Sequence, residues 1–404
     1  MQVINRRKSN NKPANAAGRY RSNKPNNGNK KNKRVSTLDP KQLINKSVQL
    51  TEEQDFIPNQ SYEQLPININ LKANLLKKGF VFPTQIQEET LAHLKAGKDL
   101  IGIANTGTGK TGAFLIPMID RLLEQPKSFK TLVVVPTREL AVQVEQEFLA
   151  LADGLNIHSA CFIGGTNVQK DVAQLRRRKD LIIGTPGRLI DLANRGDLQL
   201  ADISNLILDE FDRMLDMGFK RDIKKMVDLM PQRKQTILFS ATVDNSQKSL
   251  IDSMLKNPVE VKVNAGTSAS ERVEQDIIRV PQGADKFKLL TDMMYDADFE
   301  KVLIFTETKR QADKLSKQLN NVDISADQIH GNKSQNYRNR ALDKFKAGKV
   351  RVLVATDVAA RGIDVSNISH VINYQLPLSF DSYVHRIGRT GRAGKLGKAF
   401  TFVD

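Results

Sequence analysis

The chain has 404 residues, with 62 Lys and Arg against 45 Asp and Glu, and a formal net charge of +17. This length predicts about two or three domains that each bury a core. The single cysteine, Cys161, excludes an internal disulfide and a cysteine-rich metal site, and it favours a reducing, cytoplasmic location. The five histidines are dispersed without metal-ligand spacing, and the apolar runs are far shorter than a membrane-spanning helix requires. We therefore expect neither a zinc site nor a membrane segment.

The positive charge is concentrated in an N-terminal arm. Residues 1–38 contain eleven Lys or Arg and no acid, whereas the rest of the chain has 51 basic and 45 acidic residues. Because the arm is poor in apolar residues, it cannot bury enough surface to offset its chain entropy, and we predict a disordered basic extension over residues 1–60. Its predicted role is a phosphate-binding tether without sequence preference. A solubilising tail is the alternative, and the Asn and Pro content argues against an organellar transit peptide.

From about residue 61 onward, short apolar runs alternate with longer stretches of helical periodicity, which predicts an α/β fold with parallel sheets covered by helices. A small, polar segment at Asn264–Ser270 predicts a hinge, so we place one lobe at 61–262, a linker at 263–273 and a second lobe at 274–404. The candidate strands are Asp99–Ala104, Thr131–Pro136, Asp180–Gly184, Asn205–Asp209 and Gln235–Ser240, followed by Lys301–Thr306, Arg351–Thr356, His370–Tyr374 and Lys398–Phe402. Ligands of open parallel sheets bind at the carboxyl ends of the strands, which is where the polar motifs occur.

A phosphate-binding loop follows the first of these strands and precedes an apolar helical stretch. It comprises Thr106, Gly107, Thr108, Gly109, Lys110 and Thr111. Glycines allow backbone amides to converge on phosphate oxygens, Lys110 supplies a charge for the outer phosphates, and Thr111 offers a hydroxyl to Mg²⁺. The strict form of this pattern has Gly where Ala104 stands.

A carboxylate pair lies at the end of another apolar strand in the same lobe. Asp209 and Glu210 follow Leu206–Leu208 directly. Mg²⁺ bound beside a phosphate loop takes a carboxylate from such a strand end, so we predict that Asp209 holds the metal, directly or through water. Glu210 is predicted to polarise the attacking water.

With these motifs in place, the chain resembles the DEAD-box RNA helicases from Tyr62 to its C-terminus. Gly79–Gln87 is similar to the adenine-reading segment of that family, with Tyr62 in the upstream aromatic position. The resemblance implies two tandem RecA-like domains of the superfamily 2 helicase core, with ATP and Mg²⁺ as cofactors. Gln87 has a donor and an acceptor for the adenine edge, and Phe80 offers a stacking face.

The resemblance also implies a set of RNA-binding residues in both lobes. They are Pro136, Thr137, Arg138, Gly164, Gly165, Thr185, Gly187 and Arg188 in the first lobe, and Arg338, Thr356 and Asp357 in the second. Amides, hydroxyls and arginines at strand ends contact phosphates without reading bases, so the target RNA cannot be predicted. Ser240 and Thr242, together with Asp212, are similar to residues that link hydrolysis to strand separation.

The family signature Asp-Glu-Ala-Asp is Asp209-Glu210-Phe211-Asp212 in this chain. Asp209 and Glu210 keep their predicted roles in binding the metal and polarising the water. Phe211 puts in doubt how this segment packs against the second lobe, and therefore how tightly hydrolysis is coupled to unwinding. The residues Asn332-Lys333 are similar to those at the same place in the bacterial RhlE-like subgroup.

The second lobe supplies arginines for the transition state in the segment His385–Arg392. Transfer of the γ-phosphoryl group requires positive charge over that phosphate, and an Arg from another lobe makes hydrolysis depend on closure. By resemblance, Arg389 and Arg392 are these residues, His385 contacts the first lobe, and Asp364 binds the ribose.

The sequence therefore predicts an ATP-dependent RNA helicase that acts on RNA through its backbone, without a membrane, and is expected to be a monomer. Two alternatives remain open: an ATP-gated RNA clamp or assembly scaffold with weak unwinding, and a DNA helicase or translocase on the same architecture. The chain ends within a predicted strand, which leaves open a C-terminal extension. Protein partners and the cellular process cannot be predicted.

Overall fold

Two parallel sheets organise the chain in the computed structural model, which describes residues 38, 43–44, 56–105, 107–125, 130–263, 273–360, 365, 367–391 and 396–403. Residues 1–37 of the predicted basic arm lie outside these residues, and Ser36–Asp404 form one compact unit. None of the described helices is both long and apolar enough to cross a membrane.

The first lobe contains a seven-stranded sheet in the order β3-β4-β2-β5-β6-β1-β7, with every neighbouring pair parallel. Its strands are β1 Leu100–Ile103, β2 Thr131–Val134, β3 Ser159–Phe162, β4 Leu181–Gly184, β5 Asn205–Leu208, β6 Gln235–Ser240 and β7 Val259–Lys262. Its helices are α1 Ile69–Lys77, α2 Gln85–Lys95, α3 Lys110–Glu124, α4 Arg138–Leu151, α5 Val168–Leu175, α6 Pro186–Asn194, α7 Phe211–Asp216, α8 Lys220–Asp228 and α9 Asn245–Met254.

The second lobe contains a six-stranded sheet in the order β10-β11-β9-β12-β13-β8, again with parallel neighbours. Its strands are β8 Val273–Arg279, β9 Val302–Thr306, β10 Ala326–Ile329, β11 Val352–Thr356, β12 His370–Asn373 and β13 Gly397–Val403. Its helices are α10 Lys286–Met294, α11 Lys309–Asn320, α12 Gln335–Lys346, α13 Asp357–Ala360 and α14 Phe380–Ile387. Together the two sheets confirm the predicted α/β fold.

Each sheet is covered by apolar side chains on both faces because successive residues of a strand point to opposite sides. In β2, Val133 belongs to one buried cluster of the first lobe, whereas Leu132 and Val134 belong to the other. In β9, Leu303 and Val302 divide in the same way between the two clusters of the second lobe. This arrangement leaves the carboxyl ends of the strands as the place where polar loops gather.

All nine predicted strands are present, and no end shifts by more than two residues. The structure adds β3, β7, β8 and β10, which the sequence did not single out, and these four strands are the edges of the two sheets. At the predicted linker, β7 ends at Lys262 and β8 begins at Val273, while residues 264–272 lie outside the described part of the chain.

One residue of the predicted N-terminal extension belongs to the second lobe. Leu43 is fully buried and is a member of the same apolar cluster as Val273 and Tyr383. The prediction of a disordered segment over 1–60 does not hold at this position, because a single Leu in a polar stretch gives no periodic signal from which burial could be predicted.

Candidate nucleotide and nucleic-acid site

The phosphate-binding loop lies between β1 and the amino end of α3. Gly109 precedes the helix with φ +93°, a left-handed conformation that favours glycine, and a Cβ there would lie 2.7 Å from Gln87 Nε2. Lys110 is buried, and its Nζ donates a hydrogen bond to the carbonyl of Ala104 at 2.8 Å. The predicted nucleotide ligand Thr106 lies outside the described residues. This geometry leaves helix amides and one ammonium group facing the same loop.

Gln87 connects the loop to the aromatic residue upstream. Its Oε1 accepts hydrogen bonds from the hydroxyl of Tyr62 at 2.5 Å and from the amide of Thr84 at 2.8 Å, while its Nε2 donates to the carbonyl of Gly109 at 3.0 Å. The predicted adenine acceptor of Gln87 is therefore occupied by protein groups.

The two aromatic residues of this segment differ in exposure. Tyr62 is buried, and this burial raises the pKa of its hydroxyl. Phe80 is 38% exposed, with the Lys78 ammonium 5.4 Å from its ring centroid. Phe80 has a face available for stacking, whereas Tyr62 acts through its hydroxyl on Gln87.

Asp209 and Glu210 lie buried at the carboxyl end of β5. Burial raises the pKa of Asp209 to about 6, and Lys110 opposes this rise. Glu210 has φ +52°, a left-handed backbone conformation that is uncommon for a residue with a side chain. Burial alone would raise the pKa of Glu210, but Arg213 and then Lys110 outweigh it, so its pKa lies below the usual range.

The partner of Glu210 within the first lobe is Arg213, which the sequence did not single out. Its Nη1 lies 3.1 Å from Glu210 Oε2, and both side chains are almost completely buried. The signal that was available is the short spacing in sequence, since Glu210 is the residue before α7 and Arg213 lies in the first turn of that helix.

The donor groups near the loop fit a hard divalent cation. Asp209 and Thr111 provide oxygen ligands only, and a buried carboxylate with a raised pKa is one that a neighbouring cation would stabilise. Among the described residues, no group of three His, Cys, Asp or Glu side chains is arranged to hold a metal. Mg²⁺ commonly binds through one carboxylate and completes its shell with water and phosphate oxygens, so this sparse set suits it.

Asp212 joins the two strand ends that were predicted to couple hydrolysis to strand separation. Its Oδ2 accepts hydrogen bonds from the amides of Ala241 at 3.2 Å and Thr242 at 3.3 Å. Its own amide lies 3.3 Å from the hydroxyl of Ser240, which donates to the carbonyl of Thr242 at 2.6 Å. The carboxylate group is therefore fastened to the end of β6.

Phe211 packs inside the first lobe. Its ring is fully buried in the apolar cluster that contains Leu208 and Met214. The sequence raised the question of packing against the second lobe, and the structure assigns the benzyl group to the core beneath the carboxylates.

Two side chains of the second lobe act electrostatically on Glu210. Arg389 and His385 both contribute to lowering the pKa of Glu210, after Arg213 and Lys110. Arg389 is buried and follows α14, on which His385 lies. Arg392 and Asp364 lie outside the described residues, so the structure does not locate these two predicted ligands.

Arg386 is a second residue that sequence reasoning left unassigned. Its guanidinium forms a two-point contact with Asp357, at 2.6 Å from Nε to Oδ1 and 2.8 Å from Nη2 to Oδ2. Its Nη1 donates to Asn373 Oδ1 at 3.1 Å. Asp357, predicted to approach RNA beside Thr356 at the end of β11, is thereby held by the arginine-rich segment.

A groove of about 340 Å³ contains most of the predicted RNA-binding residues. Its lining includes Pro136, Thr137, Arg138, Gly164, Thr185, Gly187 and Arg188 from the first lobe and Arg338 from the second. Gly165 lies beside it with φ +82°, where a Cβ would be 2.6 Å from Arg138 Nη1. The structure thus brings together residues that are spread over 203 positions of the sequence, from 136 to 338.

Two of the groove arginines are held in buried ion pairs. Arg188 Nη1 lies 2.5 Å from Asp171 Oδ2, and Arg338 Nη2 lies 2.7 Å from Glu139 Oε2. Gln335 Nε2 also donates to Glu139 at 2.9 Å, so Glu139 of the first lobe receives two donors from α12 of the second. Nε of Arg338 has no hydrogen-bond partner among the described residues.

The fold and this site define a P-loop protein with two RecA-like lobes, in which buried carboxylates of one lobe face arginines of the other. A family model for the DEAD/DEAH box helicase matches residues 84–250, and one for the helicase conserved C-terminal domain matches residues 285–394. The chain belongs to the DEAD-box helicase family.

Individual relatives agree with this family. The chain is 43% identical to the DEAD-box ATP-dependent RNA helicase CshA of Streptococcus pneumoniae. The match extends over 342 residues, which are 85% of this chain and 65% of that protein. A DEAD box protein from Methanococcus jannaschii is 35% identical, with a TM-score of 0.50 and coverage of 86% of this chain and 94% of that one. Saccharomyces cerevisiae Dbp5 bound to RNA and ADP BeF3 is 30% identical, with a TM-score of 0.75 and coverage of 85% and 89%. The chain spans 65% of the length of the curated relative named here.

Proposed function

We propose that this chain is an ATP-dependent RNA helicase that binds RNA through the backbone and remodels it locally, coupled to hydrolysis of Mg-ATP. The observation that carries this proposal is the contact between the lobes, where Arg338 of the second lobe lies 2.7 Å from the buried Glu139 of the first and Arg389 helps to lower the pKa of Glu210. A site whose charges come from both lobes can hydrolyse ATP efficiently only when the lobes meet.

In the proposed mechanism, amides at the amino end of α3 bind the phosphates, and Lys110 exchanges the carbonyl of Ala104 for the outer phosphate oxygens. Asp209 and Thr111 would hold Mg²⁺, which neutralises charge on the phosphate oxygens. Glu210 stays ionised at neutral pH because its pKa is held low, so it can accept a hydrogen bond from the attacking water.

The positive charge for the transition state comes from the second lobe. Arg389 is the described candidate, and Arg392 is proposed beside it from the resemblance alone. Charge develops on the γ-phosphoryl oxygens during transfer, and a guanidinium brought to them by closure stabilises that state more than the bound ground state.

RNA is proposed to bind along the groove between α4, α6 and α12. Helix starts at Thr137 and Thr185 and the arginine side chains suit phosphate oxygens, which carry no sequence information. The Nε–H of the buried Arg338 has no partner in the part of the chain that the structure describes, which supports this assignment, because a buried donor without a partner is costly unless a ligand satisfies it. Dbp5, which shares the fold, has been solved with RNA and ADP BeF3 bound.

Phe211 made the clamp alternative more credible at the level of the sequence. Because that ring is buried within the first lobe, it gives no reason to expect weak coupling to the second lobe. Membership of the RhlE-like subgroup, the cytoplasmic location and the monomeric state stay predictions.

The decisive experiment compares ATP hydrolysis with and without single-stranded RNA, and measures release of a short labelled RNA duplex by the same preparation. We expect RNA to stimulate hydrolysis and ATP to drive duplex release, with both activities lost in Lys110→Ala. Stimulation without release would favour the clamp, and stimulation by DNA in place of RNA would favour a DNA helicase. Hydrolysis that ignores every nucleic acid would contradict the proposal.

A further inference from the structure

The second lobe holds a residue that precedes the first lobe in sequence. Leu43 is 0% exposed and belongs to the buried cluster of the second lobe, although 208 residues of the first lobe, from 56 to 263, intervene before that lobe begins. Complete burial of a Leu side chain stabilises the folded state, so its position is not an incidental surface contact.

The pocket around Leu43 lies beside the start of β8. The hydroxyl of Tyr383 is 2.9 Å from Gln275 Oε1 and 3.4 Å from the carbonyl oxygen of Leu43. Since a hydroxyl has one proton, the nearer Gln275 receives it more often, and Leu43 is held chiefly by apolar burial. Tyr383 and Gln275 are themselves buried, which gives the pocket fixed walls.

The neighbouring residue behaves differently. Ile44 is 50% exposed, although it is as apolar as Leu43. One side chain is therefore inserted while the next faces solvent. Ile44 provides a matched control that differs from Leu43 in burial alone.

We propose that the second lobe carries a docking pocket for the N-terminal extension of this same chain, and that Leu43 is its occupant. Docking gives the two lobes a second connection besides the linker at 264–272. Between Ile44 and Phe56 lie eleven residues, which can span at most about 40 Å, and the nine linker residues can span about 35 Å.

The two connections reach the second lobe at the same place, because Leu43 lies near Gln275 and the linker enters at Val273. Two short tethers limit how far the lobes separate and raise their effective concentration for each other. On the proposed function, the docked segment would favour the closed, RNA-bound arrangement.

Limited trypsin digestion of the full chain, without nucleotide or RNA, tests the docking itself. Cleavage after Lys41 and Lys46, which flank the anchor, is followed by mass spectrometry. We expect Leu43→Asp to speed both cleavages about tenfold, because cleavage tracks the population of the undocked segment. Ile44→Asp should leave them unchanged, and Leu43→Met, which preserves volume, should retain protection.

Cleavage after Arg351, at the start of the central strand β11, reports on unfolding of the second lobe as a whole. It should be equally slow in wild type and Leu43→Asp if the segment undocks from an intact lobe. The proposal is overturned if Leu43→Asp speeds cleavage at Arg351 as much as at Lys46, or if the two Asp variants digest alike.

The effect on the lobes is tested by RNA-stimulated ATP hydrolysis. In Leu43→Asp, the RNA concentration for half-maximal stimulation should rise about threefold with kcat unchanged, and in Ile44→Asp it should stay at the wild-type value. If the RNA concentration for half-maximal stimulation is unchanged in Leu43→Asp, the docked segment does not act as a tether between the lobes. Wild-type protein that RNA does not stimulate would count against the helicase function, while the digestion result would stand on its own.

Discussion

The lobes meet in two regions that are built differently. At the carboxylate region, Glu210 already has a buried partner in its own lobe, Arg213, and the second lobe adds Arg389 and His385. At the groove region, the ion-pair partner of Glu139 among the described residues is Arg338, which belongs to the second lobe.

The carboxylate region is therefore formed within the first lobe, whereas the groove region is completed only when the two lobes meet. Glu210 is ionised and oriented by a contact that does not require the second lobe, so the lobes need only deliver charge to a site that is already formed. Glu139 gains its partner when the lobes meet, because Arg338 and Gln335 both lie on α12 of the second lobe. The groove contact is therefore the better candidate for coupling RNA binding to the meeting of the lobes.

The largest effect on activity is expected from the loss of Arg389, which the second lobe contributes to the carboxylate region. Arg389→Ala should lower the RNA-stimulated kcat about a thousandfold, because removing a transition-state arginine has effects of this order. ATP binding, measured by fluorescent nucleotide titration, should change little since the phosphate loop is intact. Arg310→Ala, an exposed arginine on α11, is the control. Normal turnover in Arg389→Ala would mean that the first lobe alone completes the site.

The next largest effect is a loss of stability, expected when Phe211 in the core beneath the carboxylates is truncated. Phe211→Ala restores the residue of the family signature but empties a fully buried site, so we expect the first lobe to lose about 3 kcal/mol of stability. For a lobe of this size, that loss lowers Tm by about 6 to 12 °C. Duplex release per ATP hydrolysed should be unchanged at a temperature where the variant is folded. A changed ratio would show that Phe211 does influence the second lobe.

The sequence predicted the central strands and missed the edges for one physical reason. A strand such as Val352–Thr356 is buried on both faces and therefore reads as a continuous apolar run. The edge strand Ala326–Ile329 is covered on fewer sides, and its residues are mostly half-buried. Mixed composition at the edges is compatible with a loop, so periodicity alone could not detect them.

The candidate site divides in a similar way. Lys110, Asp209 and Glu210 were predicted because their residue types and their positions at strand ends are dictated by phosphate and metal chemistry. Leu43 and Glu139 were not, because their partners lie in the second lobe, far along the chain, and only the folded arrangement brings them together. Contacts between distant segments leave no local pattern in one sequence.

A double-mutant cycle on the groove pair sharpens the comparison. Glu139→Gln and Arg338→Met should each weaken RNA binding in the presence of an ATP analogue about thirtyfold, close to 2 kcal/mol, because each leaves a buried group without its charged partner. The double variant should bind little worse than either single one, since both changes break the same contact. Fully additive losses would mean that the pair does not form when RNA binds.

The smallest effect is expected at Arg188, which lies in the groove but is held from within its own lobe. In the wild type, Asp171 Oδ2 lies 2.5 Å from Arg188. Asp171→Asn keeps an acceptor oxygen at this position but removes the negative charge, which weakens the hydrogen bond by about 1 kcal/mol. The hydrogen bond from Arg188 to the carbonyl of Thr166 at 2.9 Å remains. We expect the half-saturating RNA concentration to rise about fivefold and kcat to stay constant. Asp191→Asn, at an exposed position on the same helix as Arg188, is the control. If Asp171→Asn instead matched the thirtyfold loss of the Glu139 variant, pairing within a lobe and pairing between lobes would be equally important, and the distinction between the two regions would fail.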